Sequence, residues 1–171
     1  METATMTRAE LARMIDHTLL RPEATDADVS RHCREASLLG VGTVCLSPSR
    51  LLLAPGVLAP GIAVDAVAGF PSGAHPAAVK AAEAAVAVAA GASEADMVID
   101  LGAVCEDRWA PVVTEVAAVW AAAGPRVVLK VIVETAVIGL ARIGSACRAA
   151  ESGGADFVKT STGFHPTRRW R

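Results

Sequence analysis

Short apolar runs alternate with longer amphipathic or alanine-rich segments along the chain. Apolar runs of this length are typical of strands that are buried on both faces of a parallel sheet. The segments between them are long enough to hold crossover helices. Six strands are predicted, over residues 16–20, 41–46, 62–70, 94–100 and 127–133 and from residue 157 onward. This alternation of strand and helix predicts an α/β fold.

Capping residues and glycines mark the predicted helices between these strands. Thr25, with acids in the following turn, predicts a helix that ends at Leu39 before Gly40. Three more helices are predicted over residues 75–90, 106–123 and 135–152, and a short amphipathic helix within the first 15 residues. Each longer helix therefore connects one predicted strand to the next.

Two architectures fit six such units. One is a doubly wound open sheet, and the other is a (β/α)8 barrel of which about six of eight strand-helix units are present, since a whole barrel typically needs about 250 residues. The chain has 171 residues. It contains no phosphate-binding glycine loop, because the Gly69–Gly73 turn includes a proline and the Gly153–Gly154 pair precedes its strand. The pattern therefore favours the partial barrel.

Composition excludes several classes of partner. The formal net charge of -2 gives no electrostatic reason to bind nucleic acid or an anionic membrane. No apolar run reaches membrane-spanning length, and the N-terminus does not resemble a signal peptide, so a cytoplasmic protein is expected. The four cysteines lie far apart without CxxC spacing, which predicts neither a zinc site nor a disulfide framework.

Lysine is rare in this chain and is placed unusually. There are thirteen arginines but only three lysines, and two of these, Lys130 and Lys159, lie inside apolar strand patterns. A desolvated lysine, or one beside another cation, can lose its proton and act as a nucleophile, whereas an arginine cannot. The alternative is that each amine lies at a strand end or pairs with a carboxylate. Two such lysines on neighbouring strands favour a catalytic role.

Other polar residues have simpler explanations. Lys80 and Glu83, three residues apart, are interpreted as a solvated pair on a helix. Cys45 is interpreted as a small core residue. An alternative role for Asp96 is purely structural, as the carboxylate that neutralises a buried lysine in an ion pair. The acids near residue 96 have no histidine beside them, so no metal site is predicted.

Six motifs in order resemble the deoxyribose-phosphate aldolase family, and the resemblance covers residues 10–166. Any one motif alone would be weak evidence, but their shared order is specific. The matching segments are residues 16–20 (DHTLL), 44–48 (VCLSP), 69–73 (GFPSG) with Lys80 and Glu83 beyond them, 94–99 (EADMVI), 129–135 (LKVIVET) and 154–164 (GADFVKTSTGF).

The resemblance implies a (β/α)8 barrel enzyme that reversibly cleaves 2-deoxy-D-ribose 5-phosphate into D-glyceraldehyde 3-phosphate and acetaldehyde, without a metal or organic cofactor. Lys159 matches the lysine that forms a Schiff base with acetaldehyde. Asp96 matches the acid/base that moves protons, and Lys130 matches a second cation that lowers the pKa of the reactive amine. The substrate-binding positions that the resemblance implies are Asp16, Cys45, Thr160, Ser161 and Gly163.

The resemblance ends before the chain does. Members of the family continue with two further strands, one with a second catalytic lysine and one ending in a phosphate-binding loop, whereas this chain ends in HPTRRWR. Residues 1–166 are therefore predicted to form a partial barrel domain, and residues 167–171 a tail unlike the family, from a truncated or frameshifted gene product. Low stability or pairing with another chain, including a homo-oligomer, is expected because two edge strands would be exposed.

Three functions remain open on the sequence alone. The first is the aldolase reaction on a phosphorylated sugar, in a chain whose activity is in doubt without the last two strands. The second is another lysine-dependent aldolase that takes a ketone donor. The third is a catalytically silent partial barrel that acts only in assembly or binding, with its lysines and Asp96 left as a buried charge cluster.

Overall fold

Six parallel strands form one sheet in the order of the sequence. The computed structural model describes residues 5–166. Every connection between consecutive strands is a crossover that carries at least one helix or 3-10 helix. The strands are β1 (Asp16–Leu19), β2 (Thr43–Leu46), β3 (Ala63–Ala68), β4 (Glu94–Val98), β5 (Val128–Ile132) and β6 (Phe157–Lys159).

Seven α-helices are found in the described part of the chain. They are α1 (Arg8–Ala12), α2 (Asp26–Leu39), α3 (Ala77–Ala89), α4 (Leu101–Cys105), α5 (Trp109–Ala123), α6 (Thr135–Ile138) and α7 (Leu140–Ser152), and a 3-10 helix covers Pro48–Leu53. Thr25 caps α2 in a capping box with Asp28, and Gly40 ends it in the left-handed conformation, as predicted.

One predicted helix is divided in the structure, and another begins later than predicted. The helix predicted over residues 135–152 is interrupted at Gly139, whose φ of 74° lies in the left-handed region and separates α6 from α7. The helix predicted to begin at residue 106 begins at Trp109, and a separate short helix, α4, precedes it. Asp100 caps α4 by accepting from the backbone N–H of Ala103.

Strand alternation separates two chemically different faces of the sheet. Residues two apart in a strand share a face, so the polar positions of neighbouring strands lie together. Asp96 is directly paired with Lys130, and Ile132 with Lys159, in parallel register. The inner face therefore collects charged side chains from distant parts of the sequence, together with the Cys45 thiol. The charged residues are Asp16, Asp65, Glu94, Asp96, Lys130 and Lys159.

The outer face and the helices form the hydrophobic core. One cluster of buried residues includes Met97, Leu129 and Val131 from β4 and β5 and packs against α5 and α7. A second cluster packs α2 and the 3-10 helix against β2, with Leu46 fully buried. Burial of these side chains supplies most of the favourable free energy of folding.

The two ends of the sheet are open. Among the described residues, β1 and β6 each pair with only one strand. Phe157 on β6 is 61% exposed and Met14 before β1 is 70% exposed, although both are large apolar residues. The structure is thus a partial (β/α)8 barrel with six units, and the predicted fold class and exposed edges are confirmed.

No helix in the portion from residue 5 to residue 166 is both long and apolar enough to cross a membrane. The predicted tail, residues 167–171, lies outside the described residues.

Candidate active site

Lys130 lies at the centre of a charged cluster on the inner face. Its Nζ is 2.6 Å from Glu94 Oε2, 2.8 Å from Asp16 Oδ2, 3.4 Å from Asp96 Oδ1 and 3.5 Å from Asp65 Oδ2. Its side chain is only 8% exposed. Burial acts to lower the pKa of Lys130, but the surrounding carboxylates outweigh it and raise the pKa above its ordinary value. Lys130 is therefore held as an ammonium.

Lys159 is the more accessible of the two inner lysines, with its side chain 30% exposed. Its Nζ donates to Asp16 Oδ2 at 2.9 Å and to Asp96 Oδ2 in closer contact. Burial acts to lower its pKa, and Asp96 and Asp16 more than offset this and raise it. In this state Lys159 is also an ammonium, and Asp96 is positioned to accept its proton.

Asp16 connects the two lysines, because its Oδ2 accepts from both amines. Burial acts to raise the pKa of Asp16, but the hydrogen bonds from Lys130 and Lys159 prevail and the pKa is lowered. The sequence placed Asp16 in the pocket only by resemblance. Its position on an edge strand gives it access to both amines, which lie 114 and 143 residues away in sequence.

Asp65 on β3 was not predicted as a site residue. Its side chain is fully buried, its Oδ1 has no hydrogen-bond partner, and its Oδ2 faces Lys130. Burial and the nearby Asp96 raise its pKa to about 7. In the sequence it is one polar letter in an apolar strand, and only the alternation of inward positions along residues 62–70 could have pointed to it.

A cavity of about 430 Å³ opens beside Lys159 and Asp96 at the carboxyl end of the strands. This is the end at which barrel enzymes carry their chemistry. Asp16, Cys45, Ser161 and Gly163 all line it, and so does Thr162, which was not predicted. Thr160 does not line the cavity, and its carbonyl oxygen accepts from the backbone N–H of Thr135 instead.

Glu134, a residue that was not predicted, fixes the loop after Lys159. It lies two residues after the end of β5 and is 1% exposed. Its φ of 47° is in the left-handed region, which is strained for glutamate. Its Oε2 accepts from the backbone N–H of Thr162 at 2.9 Å and from the Thr162 hydroxyl at 2.5 Å. These bonds position the loop that forms one wall of the cavity.

Cys45 is buried on the inner face, directly opposite Asp65 in β3. Burial, followed by the charges of Asp65 and Asp96, raises its pKa well above the ordinary value for a thiol. A thiol with a raised pKa is a poor nucleophile. Cys45 therefore contributes to the wall of the cavity and not to covalent chemistry.

Lys80 is not a solvated partner of Glu83, contrary to the sequence interpretation. It is fully buried behind the sheet, where its Nζ donates to Glu115 Oε2 at 2.7 Å and to the Val98 carbonyl oxygen at 2.8 Å. Glu83 instead accepts from the backbone N–H of Gly69. The actual partner of Lys80 lies 35 residues away, which local spacing cannot show.

Two groups of side chains in the described chain are close enough to be compared with metal sites. His17 on β1 lies close to His32 and Glu35 on α2. The two imidazole rings are stacked with centroids 3.9 Å apart, so their in-plane nitrogen lone pairs do not converge on one point. On the inner face, the carboxylates of Asp65 and Asp96 already surround the Lys130 ammonium. Neither arrangement favours a metal ion over its present contacts.

Comparison with known proteins shows which family the chain resembles. The model of the DeoC/LacD family of aldolases matches residues 11–169. A deoxyribose-phosphate aldolase of Mycobacterium tuberculosis is 57% identical over 165 residues, which cover 94% of this chain and 72% of that protein. The similarity therefore extends over nearly the whole chain and about three-quarters of the relative.

Solved structures show the same likeness. A candidate deoxyribose-phosphate aldolase from Coccidioides immitis matches with a TM-score of 0.90 at 36% identity, covering 95% of this chain and 64% of that one. The tetrameric deoxyribose phosphate aldolase of Aeropyrum pernix matches with a TM-score of 0.79 at 34% identity, covering 93% of this chain and 67% of that one.

The six-unit barrel and these likenesses define an enzyme class, the aldolases built on (β/α)8 barrels. Within it, the chain belongs to the DeoC/LacD aldolase family, so the resemblance predicted from the sequence and the assignment as a lyase are confirmed.

Proposed function

We propose that this protein cleaves 2-deoxy-D-ribose 5-phosphate reversibly into D-glyceraldehyde 3-phosphate and acetaldehyde, and that it does so in the cytoplasm through an imine on Lys159. The observation that carries the proposal is the contact between the Lys159 amine and Asp96 at the mouth of a cavity. A reactive amine beside a carboxylate that can take and return its proton is the arrangement that Schiff-base catalysis needs. The names of the family relatives supply the substrate class.

In the proposed cleavage, Asp96 first takes a proton from the Lys159 ammonium. The free amine attacks the aldehyde carbon of the open-chain sugar, and the carbinolamine loses water after Asp96 returns the proton to its hydroxyl. The protonated imine then accepts the electron pair of the breaking bond between C2 and C3, while the C3 hydroxyl gives its proton to the Asp96 carboxylate. Asp96 returns this proton to C2 of the resulting enamine, and hydrolysis of the imine releases acetaldehyde and the lysine.

Lys130 has a modified role in this proposal. The sequence interpretation was that a second cation lowers the pKa of the reactive amine, and Lys130 does lie in the same cluster as Lys159. The carboxylates around it outnumber the ammonium groups, however, and the pKa of Lys159 is raised in this state. Lys130 therefore partly offsets the carboxylates and keeps the Lys159 pKa lower than it would otherwise be.

The loop after β6 would hold the substrate. Ser161 and Thr162 offer hydroxyl groups at the cavity wall, and Gly163 lines the same wall with its backbone because it has no side chain. Asp16 would hold both the lysines and a substrate hydroxyl. A phosphorylated sugar and acetaldehyde are thus the proposed small-molecule partners, with no role for nucleic acid or a membrane. A homo-oligomer is also proposed, because a related structure is tetrameric and both sheet edges are exposed.

The rival proposal is a catalytically silent partial barrel that acts only in assembly. The observation that favours it is the exposed apolar edge, where Phe157 is 61% exposed and Val158 is 39% exposed. Such an edge binds other chains readily. This proposal predicts stable oligomers without carbonyl reactivity.

A cleavage assay separates the two proposals. Purified protein is incubated with 2-deoxyribose 5-phosphate, and acetaldehyde release is followed with an alcohol dehydrogenase and NADH. The aldolase proposal predicts release that disappears in Lys159→Arg, which keeps the charge but cannot form the imine. Folded, soluble protein without any release would contradict turnover and favour the silent barrel.

A further inference from the structure

The inner face contains more negative than positive charge. Four carboxyl groups, at Asp16, Asp65, Glu94 and Asp96, surround only two amines, at Lys130 and Lys159. If all six groups were ionised, the cluster would carry two uncompensated negative charges in a largely buried space. Buried charge without compensation is costly, so the cluster favours holding an extra proton.

Asp65 is the carboxyl group best placed to hold that proton. Its side chain is fully buried, whereas Asp16 and Glu94 are 26% and 17% exposed. Its only ion pair is the longest one in the cluster, 3.5 Å to Lys130 Nζ. Its Oδ1 has no hydrogen-bond partner from the oxygen and nitrogen atoms around it, and the neighbouring Cys45 thiol is its one further polar contact. One oxygen of Asp65, one of Asp96 and the Cys45 sulfur all lie within 4.8 Å of one another.

We propose that Asp65 is a positioning residue that sets the charge state of the reactive amine. When the Asp65 carboxyl is protonated, the cluster holds one anion fewer and the Lys159 ammonium loses its proton more readily. When Asp65 ionises, the added negative charge near Lys130, Asp96 and Lys159 holds Lys159 in its protonated form. Asp65 does not line the cavity beside Lys159, so its effect is exerted through the charges around it. This inference deepens the proposed function and rests on it for the identity of the reactive lysine.

The charged and titratable groups that face Asp65 all belong to the same interior. They are Cys45 from β2, Glu94 and Asp96 from β4, Lys130 from β5 and, further away, Asp16 from β1 and Lys159 from β6. Burial and the charge of Asp96 raise the pKa of Asp65, and the two lysines act in the opposite direction. The balance is a pKa of about 7, so Asp65 changes its charge in the neutral range.

The test measures the protonation of Lys159 without aldolase chemistry. Wild type and Asp65→Asn are exposed briefly to acetic anhydride, which acylates only the free amine, and Lys159 acylation is quantified by peptide mass spectrometry across pH. The expected ratio of Asp65→Asn to wild-type labelling is near one at about pH 6 and rises to about three- to tenfold at about pH 8.5, as Asp65 ionises in the wild type. A ratio that is constant with pH overturns the proposal.

A second measurement shows where Asp65 ionises in the folded protein. The raised pKa of Asp65 means that the folded state binds its proton more tightly than the unfolded state. From about pH 4 to about pH 7 Asp65 is therefore ionised in the unfolded state but protonated in the folded state, so the wild type loses stability progressively, and the loss levels off once folded Asp65 ionises as well. Asp65→Asn should not show this loss in urea unfolding. Asp26→Asn, which removes an exposed carboxylate outside the barrel, should behave as wild type.

The outcomes separate this inference from the proposed function. A pH-dependent stability difference with unchanged Lys159 labelling means that Asp65 titrates without influencing the amine, which overturns the proposal. If Asp65→Asn fails to fold, Asp65→Ala provides the same two measurements. If the wild type releases no acetaldehyde, the proposed function fails, whereas the labelling ratio still decides the role of Asp65.

Discussion

Two buried lysine clusters lie on opposite faces of the same sheet, and they are built differently. Behind the sheet, Lys80 pairs with one carboxylate, Glu115, and its remaining contact is the Val98 carbonyl. The Glu115 Oε1 in turn accepts from the Asp100 backbone N–H at 2.5 Å. This pair is balanced in charge and lines none of the cavities described here, so it acts as a structural tie between α3, α5 and the end of β4.

On the inner face, by contrast, charge and hydrogen bonding are incomplete. Carboxylates outnumber lysines, Asp65 Oδ1 and Asp96 Oδ1 have no hydrogen-bond partner, and a cavity reaches Lys159. Buried polar groups are normally satisfied, so unsatisfied carboxyl oxygens beside a cavity mark a candidate functional site. Burial of a lysine therefore does not by itself point to catalysis. The inner cluster is the candidate active site because its charges are unbalanced and a cavity reaches it.

Replacing Asp96 should break the inner cluster most severely. Asp96→Asn removes the proposed proton acceptor of Lys159, and we expect a loss of about 10²- to 10⁴-fold in acetaldehyde release. The fold should survive, because Asn keeps the shape of the side chain. Enzyme assay and circular dichroism together check this result. Glu106→Gln, an exposed acid outside the barrel, is the matched control and should keep full activity.

Breaking the outer pair should affect stability and not chemistry. Lys80→Met leaves Glu115 as an unpaired buried carboxylate, and we expect a loss of about 3 to 5 kcal/mol in the free energy of unfolding. The double variant Lys80→Met with Glu115→Leu should recover much of it, since no buried charge remains. Urea unfolding measures both. A single variant as stable as wild type would show that the pair is not a structural tie.

A smaller effect is expected where the loop after β6 is held. Glu134→Gln keeps the size of the side chain but weakens its hydrogen bonds to Thr162, which are worth about 1.5 to 3 kcal/mol when one partner is charged. Amide hydrogen exchange at Thr162 should become faster, and acetaldehyde release should fall about tenfold or less. Unchanged exchange would mean that the loop is fixed by other contacts.

The smallest effect concerns Asp16 at acidic pH. Because hydrogen bonds from the two lysines lower its pKa, Asp16 stabilises the fold above the unfolded carboxyl pKa of about 3.9, and this contribution disappears as pH falls through the lower folded value. Wild type should therefore be more stable than Asp16→Asn at about pH 6, and the difference should shrink towards about pH 2. A difference that is independent of pH would contradict this.

The sequence predicted the fold well because each strand corresponds to a short apolar run that can be recognised from neighbouring residues alone. Each apolar run became a strand within a few residues. Lys130 and Lys159, which the sequence singled out, both pair with carboxylates on the inner face, and their catalytic role stays a prediction. The helix predicted over residues 135–152, which is divided into α6 and α7, shows the limit of this reasoning. Gly139 could be tolerated within a helix or end one, and only its left-handed φ in the folded chain decides between them.

The parts of the site that were not predicted depend on distant partners. The spacing of Lys80 and Glu83 suggests a solvated pair, yet Lys80 is buried and donates to Glu115 on another helix. Asp65 looks like an isolated polar residue until neighbouring strands bring Asp96 and Lys130 beside it. Glu134 was read only as part of a motif, and its role became visible through its bonds to Thr162.

Trapping of an imine tests most directly whether the inner cluster is a reactive site. The protein is incubated with acetaldehyde and sodium borohydride, and all three lysines are examined by peptide mass spectrometry, with Lys159→Arg as control. We predict an ethyl group on Lys159 and none on Lys80 or Lys130, because only Lys159 reaches the cavity beside Asp96. Folded protein with no ethylated lysine, or with the ethyl group on Lys130, would contradict Lys159 as the nucleophile.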